Sequence, residues 1–193
     1  MSQNEALFIS FKKSGGSMKK NITVLGIDLA KNVFQLHGTS KQEKNVLKKR
    51  LGREGLMQFM SQLTPCLVGI EACGGSHYWA RTFQSMGHTV KIMAPQFVKP
   101  YVKSNKNDQN DAAGIHEAVT RPTMKFVPIK GIEQQDVLLI HRCRALLLKQ
   151  RTAVANQIRG LLNEYGVIIN QGMSHIRKLP EILDMNENKL SLR

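Results

Sequence analysis

The stretch KNDQNDA, residues 106–112, opens a segment with helical spacing and contains two aspartates, Asp108 and Asp111, three residues apart. At the start of a helix such side chains project from one face, and the unpaired N–H groups of the first turn favour negative charge. Paired carboxylates on one face are suited to hold a hard divalent cation through oxygen ligands. The simpler alternative is that Asp108 caps the helix and Asp111 is solvated. Further acids at comparable positions would favour the metal site.

Two such acids occur, each at the end of an apolar, β-branched segment. Residues 22–28, ITVLGID, end at Asp28, and residues 66–71, CLVGIE, end at Glu71. Segments of this composition are typical of buried strands. The sequence therefore predicts four acids, from three separate segments, near strand ends and a helix start.

The order of the predicted elements decides the fold class. Three strands are followed by a helix, a strand, a helix, a strand and a helix, which predicts an α/β fold with a mixed sheet flanked by helices. This is the ribonuclease-H-like (RuvC-like) order, in which the first and fourth strands lie side by side and parallel. Asp28 and Glu71 would then converge near the carboxyl ends of their strands, where ligands gather in such sheets. The predicted strands are 22–28, 33–37, 44–50, 66–71 and 90–93, and the predicted helices are 53–63, 76–85 and 108–120.

A different pattern begins at residue 133. Apolar residues recur every seven positions, with a second row interrupted by Arg144 and Arg151. This predicts a long coiled-coil-type helix over residues 133–165 that makes a homodimer or tetramer; a helix folded back on its own domain is the alternative. The heptad positions are Ile140, Leu147, Val154 and Leu161.

Four segments follow from these patterns. Residues 1–20 have no sustained periodicity and are expected to be a disordered extension, with Met18 as an alternative start. The catalytic domain would be 21–130, the long helix 131–166 and a polar tail 167–193, with one short helix near Ile176 to Leu183.

The charge of the chain predicts a polyanionic partner. Lysine and arginine number 28 against 14 acids, which gives a net charge of +14 and a pI near 10.0. Nucleic acid is the commonest partner of such proteins. The predicted nucleic-acid-binding residues surround the Asp108 segment, although ordinary solvated cations are the alternative for each: Lys99, Lys103, Lys106, Arg121 and Lys125.

The remaining composition favours a cytoplasmic protein without membrane contact. No apolar run is long enough to span a bilayer, and the three cysteines form no CxxC pair, so reduced, buried thiols are expected. Tyr101 lies among lysines and could stack on a base, and His77 follows Glu71 closely. One aromatic ring and one histidine are weak signals by themselves.

Four carboxylates in one pocket repel each other unless cations neutralise them. Two Mg²⁺ or Mn²⁺ ions about 4 Å apart would do so, and would clamp the attacking and leaving oxygens of a phosphodiester. An acidic metal pocket within a basic surface predicts an enzyme that acts on nucleic acid.

Three motifs extend this interpretation. They are GIDLAKNVFQLHG at 26–38, VGIEACGGSHYWAR at 68–81 and VKSNKNDQNDAAGIHEA at 102–118. Together they closely resemble the N-terminal domain of IS110-family transposases, from about Met18 to Gly172. The NDxND and GIEAxGG segments at this separation are far more specific than any single acid would be.

The resemblance implies a RuvC-like domain in which Asp28, Glu71, Asp108 and Asp111 form a magnesium centre, followed by a coiled coil. Such proteins are similar to the invertase of pilin genes and recombine insertion-sequence DNA. Some members use a structured guide RNA, which the resemblance implies as a second partner. Full-length members also carry a C-terminal domain with a nucleophilic serine that no serine here matches, so we expect a truncated chain that is not competent alone.

Two other functions remain open at the level of the sequence. A stand-alone RuvC-like nuclease or junction resolvase would share the fold and the metal chemistry, and would nick branched DNA. A non-catalytic nucleic-acid-binding dimer would bind with a salt dependence that survives loss of the acids.

Overall fold

The computed structural model describes residues 21–40, 47–102 and 108–190, and it describes Asp108 and Gln109 through their backbone alone. These residues form two compact units that divide between Gly131 and Ile132. The predicted disordered extension 1–20 lies outside the described residues. So do residues 103–107, which include Lys103 and Lys106, and the first three residues of the predicted third strand.

The described part of the first unit contains a six-stranded mixed sheet in the order β3-β2-β1-β4-β5-β6. The first three strands form an antiparallel meander, and β4 and β5 continue from β1 in parallel. This is the ribonuclease-H-like α/β fold, so the predicted fold class is confirmed. The strands are β1 Ile22–Asp28, β2 Val33–Ser40, β3 Leu47–Gly52, β4 Leu67–Glu71, β5 Thr89–Met93 and β6 Phe126–Val127.

Helices cover both faces of this sheet. The back face holds the larger apolar core, in which the ring centroids of Phe34 and Trp79 lie 5.0 Å apart and those of Trp79 and Phe83 lie 5.5 Å apart. The front face is covered by one helix, α4, whose Ile115, Ala118 and Val119 are buried. The helices are α1 Arg53–Gln62, α2 Ser76–Ser85, α3 Pro95–Val98 and α4 Asp108–Val119, with a 3-10 turn at Lys99–Tyr101.

Two glycines let α4 lie directly on the sheet. A Cβ atom at Gly26 in β1 would lie 2.4 Å from the carbonyl oxygen of Ala112, and one at Gly69 in β4 would lie 2.7 Å from the Cβ of Val119. Neither approach leaves room for a side chain. The helix therefore crosses β1 and β4 at a separation that only glycine permits.

The second unit starts with the long helix α5, Ile132–Asn163, which is followed by α6 Met173–Arg177, α7 Leu179–Met185 and a 3-10 turn at Glu187–Lys189. The prediction of a polar tail with one short helix was wrong in part. Leu162, Val167 and Ile169 are buried in an apolar cluster. The side chains that pack against these three residues include apolar residues of the segment predicted to be a polar tail. They are Ile176, Leu179, Ile182, Leu183 and Leu190.

Helix α2 begins at the buried Ser76, and the residue before it, Gly75, has a φ of 88°. The expectation that the three cysteines are buried was wrong in part. Of the cysteines expected to be buried, Cys66 is buried, but Cys73 and Cys143 are exposed. No helix among the described residues is long and apolar enough to cross a bilayer.

Candidate metal centre on the front face of the sheet

Asp28 and Glu71 end two neighbouring parallel strands. Ile27 is paired with Ile70, so the two acids are the next residues of β1 and β4. Side chains alternate along a strand, so each acid lies on the same face as the glycine two residues before it. That is the front face, on which α4 packs.

Asp111 reaches the same region from α4. It directly precedes Ala112, whose carbonyl oxygen lies against Gly26, two residues before Asp28. The close contact between glycine and helix thus fixes the height of the first turn of α4 above the strand ends. A helix packed further out would carry Asp111 away from Asp28 and Glu71.

The electrostatics of Glu71 show that these three acids act on one another. Burial raises the pKa of its carboxyl group, and the charges of Asp28 and Asp111 raise it further. Carboxylates that repel at close range bind a proton or a cation more readily than isolated ones. The three predicted acids with described side chains therefore belong to one electrostatic group.

The donor chemistry of this group fits a hard divalent cation, because every member offers carboxylate oxygens. Within the described side chains, no three acids, histidines or cysteines converge closely enough to hold an ion as they stand. The side chain of Asp108, the fourth predicted ligand, lies outside the described atoms, although its backbone begins α4. Its place in the metal centre stays a prediction.

Cys73 lies at the border of this group. Although the residue is exposed, its partly covered sulfur is desolvated, which raises the pKa of the thiol, and the charges of Glu71 and Asp28 raise it further. Its Sγ lies 3.8 Å from the carbonyl oxygen of Leu29, the residue after Asp28. The thiol is therefore protonated beside the acids and adds no charge to them.

The strand register reveals front-face residues that the sequence analysis missed. Asp28 is paired with Gln35, and Gln35 with Arg50, so the three lie in one row across β1, β2 and β3. In the next row, Gly26 is paired with His37 and His37 with Lys48. Arg50 and Lys48 are exposed cations on the same face as the acids. The alternation of polar and apolar residues along β2 predicts from sequence which side chains share its polar face. Which residues of β1 and β3 lie beside them can be known only from the strand register.

The family model of DEDD-type IS110 transposases, described as "Transposase", matches residues 25–167, from β1 to just beyond α5. The chain belongs to the IS110 transposase family. The resemblance seen in the three sequence motifs is confirmed by this match, which covers both structural units.

Curated relatives of this chain are also described as transposases. The chain is 52% identical over 148 residues to "Probable family 20 transposase" of Pseudomonas aeruginosa, and the match covers 77% of this chain and 44% of the relative. It is 47% identical over 174 residues to "Transposase for insertion sequence element IS1111A" of Coxiella burnetii, covering 90% and 48%. The transposase of element IS1328 from Yersinia enterocolitica is 41% identical over 167 residues, covering 86% and 50%. The chain thus spans about half the length of the curated relatives it matches.

The cations predicted to bind nucleic acid lie in different surroundings on this transposase. Lys99 and Lys125 are exposed. Arg121 forms an ion pair with Glu117, and its guanidinium lies 5.5 Å from the ring centroid of Tyr101. Lys103 and Lys106 lie outside the described residues. Their roles remain predictions.

Proposed function

We propose that the first unit of this IS110-family transposase is a metal-dependent DNA strand-cleavage domain. Its catalytic ligands would be Asp28, Glu71, Asp108 and Asp111, and its cofactor Mg²⁺ or Mn²⁺. The observation that carries the proposal is the contact of α4 with Gly26, which brings Asp111 to the strand ends where its charge and that of Asp28 act on Glu71.

Different residues of this site would bind the metal ions and the phosphodiester. The carboxylates supply the oxygen ligands, and bound cations would activate and clamp the reacting oxygens. Arg50 and Lys48, exposed on the same face, are placed to attract the phosphate backbone towards the acids. The neutral thiol of Cys73 leaves the charge of the site to the carboxylates.

The substrate would be insertion-sequence DNA, with a structured guide RNA as a second partner. The net charge of +14 supports a polyanionic partner of either kind. We further propose that α5 joins two or more copies, because its heptad residues Ile140, Leu147 and Leu161 are more than half exposed. Complete strand exchange is proposed for proteins of the relatives' full length, of which this chain spans about half.

The first test measures metal binding without DNA, through the melting temperature of the full chain in EDTA and in Mn²⁺. A ligand that binds the folded state at a hundred times its Kd stabilises it by about 2.7 kcal/mol. We expect Mn²⁺ to raise the melting temperature of the wild type and to lose this effect in Glu71→Gln. The exposed Glu54 of α1, changed to Gln, is the matched control and should keep the response.

The second test measures Mg²⁺-dependent nicking of supercoiled and branched DNA, beside an Asp28→Ala/Asp111→Ala variant. Nicking that the variant loses would establish a competent metal centre and favour a stand-alone nuclease. Binding by both proteins without nicking would fit a transposase domain that needs the rest of the longer chains. If neither binds DNA, or if Glu71→Gln keeps its Mn²⁺ response, the proposal is wrong.

A further inference from the structure

A second concave site lies on the front face, beside the acids. This α4 groove runs between helix α4 and the strands β1 and β2, and has a volume of about 720 Å³. Ligand sites for small organic groups typically have volumes of about 300–1,000 Å³. Its wall on α4 is formed by Asn110, Ala113 and His116, which lie on one side of the helix. The proposed metal chemistry gives this groove no role.

The strand side of the groove is polar but uncharged. The hydroxyl of Thr39 and the Nε2 of His116 are hydrogen-bonded at 2.9 Å, and the His37 and His116 rings lie 5.2 Å apart. Burial lowers the pKa of His116 to about 4, and burial also lowers the pKa of His37, so both rings are neutral at physiological pH. Such a wall offers donors and acceptors to a neutral ligand.

His37, which lines the groove, carries an unpaired buried atom. Its Nδ1 is buried and has no hydrogen-bond partner among the described residues. A buried polar atom left unpaired costs about 1–3 kcal/mol, so native proteins usually satisfy it. Because this atom is closed off from solvent, a ligand in the groove could pair with it only after a rotation of the His37 ring.

The opposite rim supplies an aromatic surface. Tyr101 lines the groove, and the guanidinium of Arg121 lies over its ring. Arg121 is the one permanent cation among the described lining residues, and Glu117 pairs with it. Among the described lining residues, a phosphate would find little free positive charge. A flat ring with a neutral hydrogen-bonding edge fits better, because it can stack on the Arg121 guanidinium that covers the Tyr101 ring and bond to the polar wall.

The position of the groove links it to the acids. Asn110 lines its end and directly precedes Asp111, and the backbone of His116 lies against Gly26. With a helical rise of about 1.5 Å per residue, His116 is about 7.5 Å along the axis from Asp111. A group held in the groove is therefore a near neighbour of whatever the acids hold.

We propose that the α4 groove receives the base of an unpaired nucleotide next to the phosphodiester at the acidic site. The base lies between the rim of Tyr101 and Arg121 and the polar wall of Thr39 and His116, with an edge directed at that wall. This inference rests on the proposed nucleic-acid function and adds to it the form of the substrate, a strand that is locally single.

The test compares two fluorescent single-stranded oligonucleotides of equal length and charge, one of deoxythymidine and one abasic, by anisotropy in EDTA. Stacking of a base contributes about 1–3 kcal/mol, so we expect the full chain to bind the oligonucleotide with bases about tenfold more tightly. Ala113→Phe, which fills the groove, should bring this ratio to about one. Thr39→Val, which keeps the shape but removes the hydroxyl, should lower it several-fold.

Lys125→Ala is the control for charge, since Lys125 is exposed and does not line the groove. It should weaken both oligonucleotides equally and leave the ratio unchanged. Equal binding of both oligonucleotides by the wild type overturns the base-binding inference but not the proposed nucleic-acid function. The same holds if the affinity ratio is unchanged in Thr39→Val and in a folded Ala113→Phe variant. Absence of binding to either oligonucleotide overturns the proposed nucleic-acid function and the inference with it.

Discussion

His116 lies in an environment that differs strongly from that of a free side chain in water. Burial lowers its pKa to about 4, the charge of a protonated His37 would lower it further, and Glu117 opposes the shift. The unfolded chain, with a histidine pKa near 6.5, therefore binds more protons than the folded chain between these two values. By linkage, the free energy of unfolding is greatest above pH of about 6.5 and decreases as the pH falls towards about 4.

We predict that urea denaturation will show this loss of stability between about pH 7 and about pH 5. His37 and His88 contribute in the same direction, because burial lowers the pKa of each. His116→Gln should flatten the dependence, since glutamine can still bond to Thr39 but does not titrate. His141, which is exposed on α5, is the control: His141→Gln should leave the slope unchanged. If the free energy of unfolding of His116→Gln depends on pH as strongly as that of the wild type, His116 is not a source of the pH dependence.

Single residues were predictable where the chemistry is local. An acid at the end of an apolar strand is visible in sequence, and the structure brings Asp28, Glu71 and Asp111 into one electrostatic group. The pair of His37 and His116 was not predictable, because these residues are 79 positions apart and meet only through the crossing of α4 over β1. Tyr101 was noted for stacking, but its partner Arg121 appears only in the fold.

At the scale of elements, the position of α4 depends on the glycines beneath it. We predict that Gly26→Ala will destabilise the protein by about 3 kcal/mol, at the upper end of overpacking effects, because the new methyl group meets the backbone of Ala112 and His116 and not a side chain that can move. The Mn²⁺-induced rise in melting temperature should also decrease, since the displaced helix carries Asp111. Urea denaturation and the melting temperature measure the two effects.

Gly55→Ala provides the matched control for this substitution. Gly55 lies in α1, where a Cβ would meet only the side chain of Leu51 at 3.7 Å. Replacing a helical glycine by alanine favours the helix by up to about 1 kcal/mol. Equal effects of the two substitutions would mean that the contact under α4 is less restrictive than the geometry indicates.

The elements themselves were predictable to different degrees. Strands and helices with long, regular apolar patterns were predicted within a few residues, as for β1 and α2. The two-residue strand β6, Phe126–Val127, was missed because it is too short for alternation to be seen and is defined by its pairing with β5. The segment after α5 was taken as polar because its apolar residues are spaced among polar ones, and only packing on Leu162 reveals their role.

At the scale of the whole molecule, the positive net charge contrasts with the negative charge of the acids at the strand ends. In the proposed function, the net charge of +14 would attract a polyanion, while the carboxylates at the strand ends would repel its phosphate unless a cation were present. Attraction of the nucleic acid and the metal-dependent reaction would thus depend on different residues. Composition alone predicted the partner class, whereas the position of Arg50 and Lys48 beside the acids required the register of β2 and β3.

The long helix α5 carries the last prediction, which concerns assembly. Ile140 is 65% exposed, Leu147 64% and Leu161 59%, and such a row along one helix is costly in water unless another chain covers it. We expect sedimentation velocity to show a dimer or a larger assembly of the full chain, and Leu147→Asp to dissociate it. Thr152→Asp introduces the same charge at an exposed polar position of α5 and should leave the assembly intact. A wild-type chain that remains monomeric at every concentration would contradict this role for α5.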